Sequence, residues 1–568
     1  MMNKKNTGSY YTPKILSDFL VQHISSKYLK EVNLKILEPS CGDGQFIESI
    51  VNSQLLDENH KLEIDLLDIN SIELDKASKL IPKLKDVKSR KINEDYLKFF
   101  LDNENSYSLI IGNPPYIKRE NMQLEQIDRC EQINLEIKKY SNEIKSNWNI
   151  KNIWPAFVEA AILSLENNGI LCFVIPAEIL QVKYTSELRN LIRREFDKVE
   201  VFAFNELIFE GIQQDVVALI GIKDNNNLFN HGVSFYQVDS LEDLKEPRFT
   251  EKHSNIHRTN LDKWTNYILT DEELNLISEL KSHYSPIKEY CLKAEVGIVS
   301  AANNYFLLNN DELKDNKLDK IKNVIEPILP KGYVVPSSLI FTNEDFESLK
   351  KSNKKVNFVK FPNIPKDKLN RSLYNYAEKG ESLKLHERYK MTKRENWYCV
   401  PSIWKSEGLF IKRSHLYPKF FVNDANAYAT DSFYRVLIKE PFSIRNLVFS
   451  FYNSLTFILA ELEGRFYGGG VLELIPNEFK NLSIPYFDNV TDEQFHELDS
   501  LLRNETDLDT VLQFTNPILL PNIDHVELEL IRKKLADRRL KKKVLTPNLS
   551  IEKIEIQIVE SGKSVAFG

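Results

Sequence analysis

Residues 34–46, LKILEPSCGDGQF, run from an apolar pulse through a turn with two glycines into a helix-like pattern. A strand followed at once by Gly42 and Gly44 lets the backbone approach a ligand closely, with the N–H groups of the next helix facing it. Alone, such a turn serves many nucleotide binders, and equally a plain tight connection. Outward from it, apolar runs recur at 62–69, 108–115, 169–177, 199–205 and 215–222. Their near-continuous Ile, Leu and Val content is that of strands buried on both faces of a parallel sheet. Residues 155–169, PAFVEAAILSLENNG, read as a helix that Pro155 opens and Gly169 follows. Strand–helix alternation of this kind predicts a doubly wound α/β domain, with ligands beyond the carboxyl ends of the strands.

The residues at those strand ends carry the chemistry. Asp68 closes the second run, where an acid accepts both hydroxyls of a ribose; a solvated strand-end aspartate reads the same way. Asp95, in NEDYL, is an acceptor for an adenine amino group and is weak in isolation. Asn113-Pro114-Pro115-Tyr116 follows the run SLIIG. Two successive prolines remove two backbone donors and hold the chain extended, leaving the Asn113 side-chain oxygen and the Pro114 carbonyl as unpaired acceptors. An exocyclic amine held by two acceptors is drawn toward tetrahedral geometry, which frees its lone pair for attack on a sulfonium methyl. Positioning then does the work of a base. Tyr116 offers a flat face to an extruded base.

The whole chain has 568 residues, 42% hydrophobic and 28% charged, with a net charge of −7. That length suits two to four domains with ample core. Five scattered cysteines argue against a disulfide scaffold and a metal site. No leader or membrane span is legible, so a cytoplasmic, reduced protein is expected. Residues 371–420 hold eleven bases against five acids, and 531–545 hold eight against one. Both could meet phosphates, or be solvated faces. The polar stretch 117–150 interrupts the α/β pattern and reads as a functional or mobile loop. After about residue 240 the alternation becomes irregular and aromatics multiply.

The order of these pieces resembles the gamma-type adenine-N6 DNA methyltransferases of bacterial restriction–modification systems. Thr7 to Pro13 is similar to that family's opening Thr-Pro motif, so Tyr11, Thr12 and Pro13 are implied at the methionine end of S-adenosylmethionine. Glu38, Pro39, Cys41, Gly42 and Gly44 correspond to its glycine loop. The resemblance further gives Asp68 the ribose and Ile69 the flank of the cofactor's adenine. Asp95 and Tyr96 would hold that adenine, and Phe157 pack on it. Phe209 stands where an aromatic stacks on the target base. Leu66 departs from the glycine that many members carry. The segments 296–308, 386–398 and 453–474 look like parts of recognition domains. Arg388, Lys390, Lys393, Arg394 and Trp397 are then expected to bind DNA.

The resemblance therefore implies a Rossmann-like class I methyltransferase domain over 1–240, a mixed α+β target-recognition domain over 241–520 and a charged helical tail over 521–568. It implies double-stranded DNA as substrate and a separate cognate restriction endonuclease as a partner. An RNA adenine or protein glutamine methyltransferase would use the same NPPY chemistry. A fused nuclease, expected before Thr7, and a catalytically silent DNA-binding module are further alternatives.

Overall fold

The apolar runs become strands because each can be covered from both sides, and the carboxyl ends of all but the antiparallel run 215–222 line up at one edge. The computed structural model describes residues 11–540, apart from 30, 57–59, 105, 141–149, 210–214, 247–248, 250, 255–262, 265–267 and 468–469. It divides into two compact units, one running to Ile268 and one spanning Leu269–Leu540.

The first unit opens with helix α1 (Lys14–Lys27). Strand β1 (Asn33–Glu38) leads into α2 (Gln45–Val51), β2 (Lys61–Leu67) into α3 (Ser71–Lys79), and β3 (Val87–Ile92) into α4 (Tyr96–Asp102). After β4 (Tyr107–Gly112) come α5 (Leu124–Tyr140) and α6 (Trp154–Leu163). Strands β5 (Leu165–Pro176), β6 (Lys198–Phe204), β7 (Val216–Ile222), β8 (Gly232–Val238) and β9 (Glu251–Ser254) complete a nine-stranded sheet of order β3-β2-β1-β4-β5-β7-β6-β8-β9. From β3 to β5 all pairings are parallel, whereas β7 runs antiparallel to both β5 and β6. This is the expected doubly wound, mostly parallel sheet.

Several expectations need correction. Strand β3, VKSRKI, is a charged edge strand without the apolar pulse of a central one, so its sequence conceals it. The sheet also continues past residue 240, because β9 pairs with β8. Gly169 does not follow a helix. Helix α6 ends at Leu163, and Gly169 lies in β5, where pairing with β4 jumps from Tyr107–Leu165 to Leu109–Ile170. The stretch 117–150 is largely the helix α5, whose Cys130, Ile133 and Ile137 form a buried stripe; residues 141–149 lie outside the described part.

The second unit is mixed α+β. It holds a five-stranded, a four-stranded and a three-stranded sheet, threaded by short helices. One core gathers around Phe306, Phe358 and Tyr376, another around Phe341, Leu409 and Phe433. Helix Ser454–Glu463 is buried along nearly its whole length, so most of the segment 453–474 is interior. Among the described residues, no helix is long and apolar enough to cross a membrane.

The C-terminal basic run is neither a phosphate patch nor a bare solvated face over its described part. Arg532 pairs with Asp509 and Glu529, Lys533 with Asp509, and Lys534 with Glu273. Arg539 is fully buried: its guanidinium meets Glu461 at 2.8 Å and donates to the carbonyls of His415, Leu416 and Gly470. Helix His525–Leu540 is thus an internal strut; residues 541–545 lie outside the described part. Removing one partner of such a buried pair strands the other charge. Arg539→Met should therefore destabilise the second unit by about 3–5 kcal/mol in chemical denaturation. Lys533→Met, at a half-exposed pair, should leave the midpoint within error.

Candidate active site

The carboxyl ends of β1, β2 and β4 lie side by side, and the turns beyond them are tied together by hydrogen bonds. Gly42 and Gly44 adopt φ of +49° and +88°, the left-handed region that favours glycine. A Cβ on Gly44 would fall 2.7 Å from the Ala77 Cα, so the second glycine also lets α2 and α3 approach. The Gly42 N–H donates to Asp68 Oδ2 at 2.9 Å, and the Asn70 N–H to Asp68 Oδ1 at 2.7 Å. Burial pushes the Asp68 carboxyl up, and those two N–H groups pull it partly back. Beside it, Ile69 is 67% exposed, an apolar side chain at a strand end with no cover of its own.

Glu38 ends β1 and is buried, with Oε2 lacking a hydrogen-bond partner. Its carboxyl is held well above the ordinary range by burial first, then by Asp68 and Asp43. An acid in that setting asks for a cation or donor from outside the chain. Tyr11 is half-exposed, and a Cβ on Gly42 would sit 3.7 Å from its ring. Thr12 is buried, and the Pro13 carbonyl accepts from Leu16 and Ser17 as α1 begins. Pro39 and Cys41 lie within the turn, Cys41 buried. Thr7 to Tyr10 lie outside the described residues.

The NPPY segment continues β4 into this edge. Ser40 Oγ donates to the Asn113 carbonyl at 3.1 Å. Gly112 lets the strand pass the loop, since a Cβ there would meet Pro39 Cδ at 3.4 Å. The Tyr116 hydroxyl lies 2.7 Å from Asn113 Oδ1 and 2.9 Å from the Val174 carbonyl, either of which can accept its one proton. The Asn113 oxygen is therefore not the unpaired acceptor expected. An amide oxygen has two lone pairs, and the tyrosine, donating to one of them, orients the amide. Pro114 is buried and Pro115 half-buried. Tyr116 is itself 8% exposed and faces Phe209, ring centroids 6.5 Å apart.

Asp95 caps α4 by accepting from the Lys98 N–H at 3.1 Å, and Tyr96 packs on Phe157 of α6 at 5.2 Å. Asp65, near Asp68 on β2, holds Arg90 through two bonds and accepts from the Tyr107 hydroxyl, so it is already committed. Leu66 is fully buried beside them. The pattern singled out neither Ser40 nor Gly112. A serine inside the loop and a glycine ending a buried strand were the available signals.

The expected DNA-binding residues separate in the second unit. Lys390 and Lys393 are exposed, as is Arg388, which also donates to the Ala301 carbonyl at 2.8 Å. Arg394 is instead structural: it donates to the carbonyls of Trp397, Val299 and Ser300. Trp397 packs on Tyr305 at 5.7 Å and donates to Glu381 at 3.3 Å, and Tyr398 is buried. Trp397 is only half-buried.

The family described as Eco57I restriction-modification methylase matches residues 26–209, and Type II methyltransferase M.Eco57I, C-terminal domain, matches 261–520. The chain belongs to the Eco57I family of restriction–modification methylases. With that membership comes the coarse activity, S-adenosylmethionine-dependent methylation of DNA. Type II methyltransferase M.AccI of Acinetobacter calcoaceticus is 24% identical over 84% of this chain and 85% of its own. M.BanIII of Aneurinibacillus aneurinilyticus is 20% identical over 78% and 82%. A solved DrdV–DNA complex shares the fold, with a TM-score of 0.51 at 13% identity, over 88% of this chain and 58% of that one.

The elevated Glu38 gives a signed expectation for this methylase. If Glu38 is where an ammonium group binds, binding requires its ionised form, so it should expel the Glu38 proton and affinity should rise with pH. Calorimetry over a pH series in two buffers of unlike ionisation enthalpy should detect that proton, and Glu38→Gln should abolish it. A carboxyl raised by folding opposes folding above the unfolded range. Glu38→Gln should therefore also raise the unfolding temperature of the ligand-free protein at neutral pH.

Proposed function

We propose that this methylase acts on the N6 amine of an adenine turned out of double-stranded DNA. The observation that carries the reading is the pair of bonds on Asn113, from Ser40 to its carbonyl and from Tyr116 to its amide oxygen. Together they fix the amide at the edge where the glycine loop ends. Asn113 Oδ1 and the Pro114 carbonyl accept the two amine hydrogens, and Tyr116 and Phe209 flank the base. Restraining an amine between preorganised acceptors is electrostatic and positional catalysis, and it needs no strong base.

Bound S-adenosylmethionine supplies an electrophilic methyl on sulfur and a neutral leaving thioether. The residues present fit such a cofactor. Glu38, with its unpartnered oxygen, takes the amino group, and Asp68 takes the ribose hydroxyls with the lone pairs that Gly42 and Asn70 leave. Ile69, Asp95, Tyr96 and Phe157 surround the adenine. Tyr11, Thr12 and Pro13 line the methionine end.

In this reading the first unit holds the cofactor and the second reads DNA, with Lys390, Lys393 and Arg388 on phosphates. The DNA in the DrdV complex supports a nucleic-acid substrate for this fold. Work on host DNA fits a cytoplasmic enzyme with a separate cognate nuclease.

Asn113→Ala should lose about 100-fold or more in kcat while its affinity for S-adenosylhomocysteine stays near normal. Near-normal turnover in that variant would sink the assignment. For DNA, Lys390→Ala and Lys393→Ala should each flatten the log–log salt dependence of binding by about one, without changing the preferred sequence. A relaxed sequence preference would mark a base reader instead.

A further inference from the structure

Helix α5 lies in the stretch whose sequence reads as a polar insertion, yet it touches both elements assigned to the cofactor's adenine. Its buried stripe of Cys130, Ile133 and Ile137 seats it in the first unit. From the same helix, Asn134 donates to Glu159 Oε2 at 2.8 Å. Glu159 is fully buried on α6, the helix that carries Phe157. One turn earlier on α5, Arg129 Nη1 lies 3.2 Å from Asp95 Oδ2, both side chains being mostly shielded from water. The other Asp95 oxygen accepts from the Lys98 N–H.

We propose that α5 is the clamp of the adenine pocket and that Arg129 is a positioning residue, fixing the Asp95 carboxylate for the adenine amine. The proposal rests on the reading that Asp95 accepts from that amine. A carboxylate offers about four acceptor directions. The Lys98 N–H takes one on Oδ1, and Oδ2 is held by the ion pair with Arg129, so the group cannot rotate about its Cβ–Cγ bond without breaking a contact. The remaining directions stay open to the amine. Without Arg129 the carboxylate keeps its cap bond but loses the second restraint, and its acceptor geometry becomes an average. A partly shielded guanidinium is well suited to this, since its planar donors set direction as well as charge. Asn134 does the matching task on the other wall, holding the helix of Phe157 against α5.

The test is a thermodynamic cycle between Arg129 and the amine, read by calorimetry on the full chain without turnover. Two probes are used: S-adenosylhomocysteine, and its analogue in which hydrogen replaces the 6-amino group. Wild type should prefer the amino compound by about tenfold, the contribution of one charge-assisted hydrogen bond. Arg129→Met should bring that ratio close to one, and Arg129→Lys should recover part of it. A merely structural role would weaken both probes alike and leave the ratio intact. Asp95→Asn separates the two ideas. If it erases the preference while Arg129→Met leaves it untouched, the clamp is overturned and the Asp95 reading stands. If Asp95→Asn keeps the full preference, the Asp95 reading fails and takes the clamp with it.

Discussion

The bond from the Gly42 N–H to the Asp68 carboxylate, 2.9 Å long, joins the turn after β1 to the end of β2, and the site is assembled around it. The glycine turn is left-handed at two residues and would have many alternatives in isolation. A carboxylate at the next strand end selects one of them. With the turn fixed, Ser40 reaches the Asn113 carbonyl, and Gly112 lets β4 pass close to Pro39. Three neighbouring strand ends thus become one rigid edge. Asp68 is pressed by burial toward its neutral form and kept useful by two backbone donors, a balance common at functional carboxylates.

What was legible in the sequence follows from burial. Central strands such as β4 and β7 are buried along their whole length and mostly apolar, and the residues just beyond β1, β2 and β4 could be picked out as chemical. Strand β3 was not legible, because an edge strand with VKSRKI has nothing to bury along most of its length. Helix α5 was hidden for a related reason: it buries only three residues, its other apolar side chains, Leu124, Ile127 and Leu135, are not buried, and the rest of it is polar. The bond between Tyr116 and Asn113 could not be foreseen from spacing, since it depends on how the two prolines turn the chain.

Charge misled most where it was densest. A run of bases says nothing of the acids that fold onto it from elsewhere. Arg539 finds Glu461, and Arg532 finds Asp509, so bases that read as a surface patch stabilise the interior. Arg394 met the same fate beside Lys390 and Lys393, which remain exposed. The planar fork of a guanidinium lets Arg394 meet three carbonyls at once, which draws it into the structure while its neighbours Arg388, Lys390 and Lys393 stay exposed. Any surface for DNA in this unit is then smaller than its composition suggests, in keeping with a protein of net charge −7.

The central claim is that the edge built on Asn113 methylates adenine in DNA. Modified-base sequencing of DNA from a host expressing this chain, beside the same host with Asn113→Ala, tests it most directly. The account predicts N6-methyladenine at one short sequence throughout the first genome and its absence from the second. Methylated cytosine in place of adenine, or unmodified DNA beside a methylated RNA or protein amide, would contradict it.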